Sequence, residues 1–310
     1  MLKQVLDIYE LIDRGTVCGQ DIVDLFKTFE FVDASWVKVE GSEGSTDFVE
    51  ILVKGTHGKS VGGTKPTLSV IGRLGGIGAR PKYKGMVSDA DGCICALSVA
   101  YKLAQMSKHK DRLDGDVVIT THICPNAPTE PHEPVDFMGS PVDMEQMNQY
   151  EVIKDADAVI TIDTTKGNNI ITNKGFAISP TVKEGYILKV NQQLVNIMEQ
   201  TSGTKAKTFP LCQLDITPYS NNMYHINSIL QPATATNAPV VGVAITTETA
   251  VAGCATSASH EIDIAEAARF TLEVAKQFTE ERLEFYDSKE FKQLTDLYGK
   301  MNIFQTNPQL

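Results

Sequence analysis

Apolar runs rich in Val and Ile alternate along the chain with longer segments of helical period. Residues 2–13 and 19–30 space their apolar positions for two amphipathic helices. Trp36–Glu40 and Asp47–Val53 predict strands on either side of a Gly/Ser turn at 41–45. Leu68–Gly72 predicts a short buried strand. Asp116–Thr121 (DVVITT) and Ala158–Asp163 (AVITID) are apolar on both faces and end in polar residues, the pattern of strands inside a parallel sheet. A helix from about Cys93 to Ser107 places Leu97, Ala100, Tyr101 and Ala104 on one face. The second half repeats the alternation with Val190–Gln200 as a helix, Val240–Ile245 as a buried strand and Ile264–Phe278 as a helix.

This order predicts an α/β fold, a three-layer sandwich in which a mainly parallel or mixed central sheet carries helices on both faces. No Pro/Gly/Ser linker or low-complexity segment interrupts it. Residues 1–310 are therefore expected to form a single α/β domain, with 280–310 as a C-terminal helical extension on its edge or on a second subunit of a homodimer. In such a fold ligands sit at the carboxyl ends of the strands. That directs attention to His122, to Asp163 and to the segment Thr246–His260.

Charge removes whole classes of partner. The chain has 28 Lys and Arg against 39 Asp and Glu, a net charge of −11, and no basic stretch that would neutralise phosphates. Nucleic acid and anionic membranes are not expected partners; a small molecule or peptide-like substrate is. No uninterrupted apolar run of spanning length occurs, and the N-terminal residues pattern as an amphipathic helix rather than a leader. The expectation is a cytoplasmic protein. Its six cysteines are scattered without a CxxC pair, so reduced thiols are expected rather than a disulfide framework or a four-cysteine zinc.

Four residues at predicted element ends bear on chemistry: Asp89 before a helix, His122 after one buried strand, Asp163 at the end of another and His260 between a strand and a helix. Carboxylates and imidazoles arriving from several strand ends are how such a sheet would hold a zinc-like ion. Each also has an ordinary reading as a helix cap, turn or loop residue. The glycine-rich loop Gly72–Gly85 does not open a helix with GxGxxG, so no nucleotide cofactor is predicted.

With these residues in view, Thr67–Phe278, about two thirds of the chain, resembles the catalytic domain of co-catalytic zinc aminopeptidases, especially the tetrahedral and deblocking group. KGMVSDADGCICAL is similar to the segment carrying that family's metal-bridging Asp, with Asp89 as counterpart; ADAVITIDTT matches the metal-binding Asp at Asp163, and the segment ending in SASHEIDIAEAARF matches the final His at His260. The pattern as a whole is similar to an uncharacterised bacterial family, domain of unknown function 1177. The resemblance implies a metal-dependent hydrolase of a small amide or peptide-like substrate, with one divalent ion, zinc, held by Asp163, His260 and either Asp89 or His122.

The departures are as specific as the matches. The family's first metal-binding His stands here as Arg73 and its orienting Asp as Gly75, and the Glu-Glu pair that supplies base and ligand stands as His122 and Ile123. Only fifteen residues separate Arg73 from Asp89, so the family's inserted β-barrel is absent. His122, or Glu133 with Glu130 on the following proline-punctuated loop, would have to supply acid–base chemistry, and Thr56-His57-Gly58 is a further candidate for the lost ligand. Cys124 is a weaker alternative as a nucleophile. Asn221 and Asn222, with Ser220 and His225 nearby, fall where the family faces its substrate. The alternative is an inactive relative in which Arg73 binds a small anionic amino-acid or amide ligand.

Overall fold

The uninterrupted apolar runs become the middle of one sheet, because a strand covered on both faces has no polar side to show. A computed structural model describes residues 1–73, 75–78, 86–131, 133–218, 228–251 and 258–306. Two helices, α1 (Leu2–Ile12) and α2 (Gly19–Phe26), lead into a hairpin of β1 (Val32–Gly41) and β2 (Gly44–Val53). The hairpin turns in two residues, and Gly44 takes φ +137°, a value that disfavours any side chain. Then follow β3 (Leu68–Gly72), α3 (Asp91–Lys108), β4 (Val117–Ile123), the small hairpin β5 (Thr129–Glu130) and β6 (Phe137–Met138), α4 (Met144–Glu151) and β7 (Ala158–Thr164). The remainder comprises β8 (Gly175–Ile178), β9 (Val182–Lys183), β10 (Tyr186–Ile187), α5 (Gln192–Ser202), β11 (Val240–Thr246), α6 (Glu261–Thr279) and α7 (Ser288–Tyr298).

The main sheet is mixed, in the order β1-β2-β4-β3-β7-β11, with β8, β9 and β10 beyond β11. Its centre, β4-β3-β7-β11, is parallel, and β2, β8 and β9 join it antiparallel. The strand alternation splits the interior into two layers. Leu68 and Val70 of β3 pack with α1, α2, α3, α5 and α6, whereas Ile71 faces the opposite layer with Val159, Ile229 and Leu230. On that second face α4 docks Met147 against Phe48 of β2. The α/β sandwich expected from the sequence is thus the fold. No helix among the described residues is long and apolar enough to cross a membrane.

Connectivity fixes where a ligand has room. From β3 the chain crosses through α3 to β4 on one side, then returns through α4 to β7 on the other, so the strand order reverses between β3 and β7. In an open α/β sheet such a reversal is where a ligand binds, outside the carboxyl ends of the strands.

Candidate functional site

Arg73 follows β3 at this switch point and turns inward. Its backbone N–H donates to the Ile162 carbonyl of β7 at 2.7 Å, and its side chain is fully buried. The guanidinium donates to Glu151 Oε2 at 2.7 Å through Nε, to Asn148 Oδ1 at 2.7 Å and to Met144 Sδ at 2.8 Å. All three partners lie on α4. His122, at the end of β4, brings Nδ1 to 2.6 Å from the other Glu151 oxygen, and its Nε2 accepts the Gly75 N–H at 3.1 Å. The ring proton therefore sits on Nδ1, and no lone pair is left for a metal. Burial alone would raise the Glu151 carboxyl; Arg73, then His122, hold it below its ordinary range.

This is a correction to two expectations. Arg73 has spent its charge on Glu151 and does not face an anionic ligand, and His122 has neither an accessible proton nor a free ligand atom. Glu151, which the sequence did not single out, accounts for both: a buried guanidinium is tolerated only beside a carboxylate.

The second charged group lies at the same strand ends and is built differently. Asp163 closes β7 and is buried; its Oδ1 accepts the Thr164 N–H and its Oδ2 the Ser228 hydroxyl, each at 2.7 Å. Asp91, the first residue of α3, is fully buried, accepts the Ser259 hydroxyl at 2.6 Å and forms an ion pair with Lys166. Lys166, three residues beyond Asp163, is also buried and donates to the Ala258 carbonyl at 2.9 Å. Asp89, in the single 3-10 turn Ser88–Ala90 ahead of α3, is half-buried and is the member nearest solvent.

Packing explains the convergence. A Cβ on Gly92 would lie 1.9 Å from the Arg73 carbonyl and 2.4 Å from that of Ile162. Only glycine lets α3 seat its first turn on the ends of β3 and β7, carrying Asp89 and Asp91 with it. The resulting field is strongly negative. Burial, then the neighbouring Asp163 and Asp91, push the Asp89 carboxyl up to about 8, against the pull of Lys166. Burial raises Asp163 to about 6, opposed by its bonds from Ser228 and Thr164. Burial also pushes Asp91 up, opposed by Lys166 and Ser259. The hydroxyls of Ser88, Thr164 and Thr165, adjacent in sequence to these residues, have no hydrogen-bond partner among the described residues. Buried orphan hydroxyls are uncommon and mark a place where a polar ligand would be accommodated.

The remaining candidates stand apart from the buried pairs. His260 is exposed at the N-terminus of α6, next to Ser259 and near enough to Asp91 to act on its charge. Glu130 ends β5 and Glu133 lies in the loop between β5 and β6, both exposed. His57 lies 3.0 Å from the Thr56 hydroxyl and 4.0 Å from Asp114, ahead of β4 and so at the opposite end of the sheet. Cys124 is buried against Val87, Ala127 and Met138. Asn221 and Asn222, like Ser220 and His225, lie outside the described residues.

These positions bear on the zinc that the resemblance implied. Among the described residues no three His, Cys, Asp or Glu side chains are disposed to hold a metal ion. His122 belongs to the other network, His260 is exposed, and an ammonium is already seated on Asp91. The donor set present does not fit a zinc centre of Asp89, His122, Asp163 and His260.

Solved structures define the class of fold. A cytosol aminopeptidase from Coxiella burnetii is 14% identical over 89% of this chain and 69% of that one, with a TM-score of 0.51. The bottromycin maturation enzyme BotP in complex with Mn is 12% identical over 87% of this chain and 70% of that one, at 0.52, and a mutant of tomato leucine aminopeptidase is 12% identical over 87% and 61%, at 0.51. The fold is that of aminopeptidase-type domains. The chain itself belongs to the family described as Protein of unknown function (DUF1177), whose model matches residues 37–308. No curated protein sequence matches it significantly.

Proposed function

We propose that the chain hydrolyses a small amide or peptide-like substrate at the carboxyl ends of β3 and β7, with Asp163 as general base and Asp89 as general acid. The observation that carries this reading is the grouping of Asp89, Asp91, Asp163 and Lys166 at the carboxyl ends of β3 and β7, where the strand order reverses, with orphan hydroxyls next to them in sequence. Two carboxyls whose surroundings hold one protonated and one ionised near neutrality are the electrostatic requirement for acid–base hydrolysis. Water loses a proton to Asp163 as its oxygen bonds to the carbonyl carbon; the C–N bond then breaks as Asp89 protonates the leaving nitrogen. The aminopeptidase-type fold of the solved neighbours supports amide chemistry over other hydrolyses.

The test is a panel of aminoacyl anilides, dipeptides and simple amides, assayed with the wild type, Asp89→Asn and Asp163→Asn, each with chelator and with added Mn2+ or Zn2+. Turnover reduced by about 10²-fold or more in each variant is the expected result. Turnover unaffected by both substitutions, or a complete lack of turnover across the panel, overturns the reading. Turnover abolished by chelator and restored by Mn2+ would give the chemistry to a metal instead of the carboxyl pair.

A further inference from the structure

A cavity of about 480 Å3 lies against the C-terminal half of α3, at the end of that helix away from Asp91. Its size is that of a small-molecule site. Residues three or four apart share a helix face, and this spacing brings Tyr101, Gln105 and Lys108, and Lys102 with Met106, to one side of α3. The apolar part of the lining is largely aromatic. Phe29, from the turn after α2, and Met106 are buried, and Tyr101 is half-buried. The Tyr101 ring meets Phe26 and Phe29 edge-on, with centroids 6.4 and 6.2 Å away, which holds a flat apolar surface in place.

The polar part is rich in donors. Gln105 gives its side-chain oxygen to the Gln4 amide at 2.8 Å, so its own N–H groups remain for the cavity. The Lys108 ammonium stands over the Phe29 ring, 4.9 Å from the centroid, and Lys102 lines the same cavity. Neither lysine is in an ion pair among the described residues. Elsewhere on this chain of net charge −11 several exposed lysines hold carboxylates, as Lys3 holds Asp7, Lys59 holds Asp157 and Lys292 holds Asp296. Lys108 also complements the carbonyl end of α3, but Lys102 lies more than a turn earlier and has no such role. The cavity's own carboxylate is Asp111. Two ammonium groups against one carboxylate leave a positive charge beside apolar rings, and the His109 imidazole in the same lining can add to it but not cancel it.

We propose that this cavity binds a small monocarboxylate with a flat aromatic body, its ring on Tyr101 and Phe29 and its carboxylate on the Lys102 and Lys108 ammonium groups and the Gln105 amide. A monoanion neutralises the charge that the lining leaves over; a phosphate dianion would overshoot it and face Asp111. No residue of the strand-end group takes part, so the site stands or falls separately from the amide hydrolysis.

The experiment titrates 2-naphthylacetate, followed by saturation-transfer NMR and by its own fluorescence, into the full-length wild type and into Lys102→Glu, Lys108→Glu and Lys292→Glu. Circular dichroism checks that each variant is folded. The wild type should bind the probe saturably, with Kd on the order of 1 mM or tighter. Lys102→Glu and Lys108→Glu should each weaken binding by about 10-fold or more. The uncharged 2-naphthylacetamide should bind the wild type less well than the acid by a similar factor. Lys292→Glu makes the same change of charge on α7 and should leave Kd unchanged. Absence of saturable binding overturns the proposal, as does equal binding of the acid and the amide. So does an affinity unchanged in both cavity variants, or a loss in Lys292→Glu as large as theirs. Tighter binding of 2-naphthyl phosphate than of the acid would overturn the assignment to a monocarboxylate.

Discussion

At the carboxyl ends of β3, β4 and β7 two groups of buried charge lie close together and obey opposite rules. In the first, Arg73, Glu151 and His122 satisfy one another: one guanidinium, one carboxylate and a neutral imidazole, with Asn148 and the Gly75 N–H occupying the remaining positions. In the second, Lys166 is paired with Asp91 alone, and Asp89 is driven up to about 8, first by burial and then by the neighbouring Asp163 and Asp91. Complete pairing makes a group rigid and chemically inert; incomplete pairing leaves protons that can be moved. The contrast separates scaffold from the proposed reacting centre more clearly than burial does, since nearly all of these side chains are buried.

The contrast can be broken most heavily at Glu151. Glu151→Ala leaves Arg73 buried without a counter-charge and should cost about 3–5 kcal/mol of stability, read as a lower midpoint in urea denaturation. The same kind of change in the second group should act on rate. Asp163→Asn keeps the shape and one hydrogen-bond acceptor, and should lower amide turnover by about 10²-fold with a nearly unchanged urea midpoint. An equal loss of stability in both variants would erase the distinction.

The pH profile sharpens it further. Turnover should rise as Asp163 loses its proton through about 6 and fall as Asp89 loses its own through about 8, giving a bell-shaped kcat/KM with its top between. A profile flat across that range would remove Asp89 from the chemistry. The smallest effect expected is on folding. Because Asp89 titrates higher in the folded chain than its ordinary 3.8, the native state binds the extra proton between those values, and wild-type stability declines as pH rises through that window. Asp89→Asn should remove part of that decline, raising Tm by about 3 °C at about pH 9 and by less at about pH 5. Thermal scans at the two pH values decide it.

Much of the fold is legible in the sequence because the buried strands are apolar throughout. The runs read at 68–72, 158–163 and 240–245 are β3, β7 and β11 to within a residue, and the helical period at 93–107 lies inside α3. α4 is not legible: MEQMNQYE is too polar to announce a packed helix, yet it supplies every side-chain partner of the Arg73 guanidinium. For the same reason the site is only partly readable. Asp89 and Asp163 stand out as carboxylates at element ends, and the structure distinguishes Asp89, half-buried without a lysine partner of its own, from Asp91, fully buried and paired with Lys166. Lys166 gives no local signal, since a lysine after a strand reads as solvated loop; its partner is 75 residues away in sequence and meets it only through the crossover. Arg73 and Glu151, 78 residues apart, pose the same problem.

The tight seating of α3 has a consequence for heredity. Gly72 would press a Cβ to 2.6 Å from the Gly92 carbonyl, and Gly92 would drive one into two backbone oxygens, so neither position can drift by small steps. Random variation can exchange the acidic side chains one at a time while the helix beneath them stays where it is. Alleles at Gly72 or Gly92 should therefore be scored as loss of soluble protein, and alleles at Asp89 as loss of activity at normal abundance. A saturation library sorted on those two phenotypes would draw the boundary between frame and chemistry without reference to any substrate's identity.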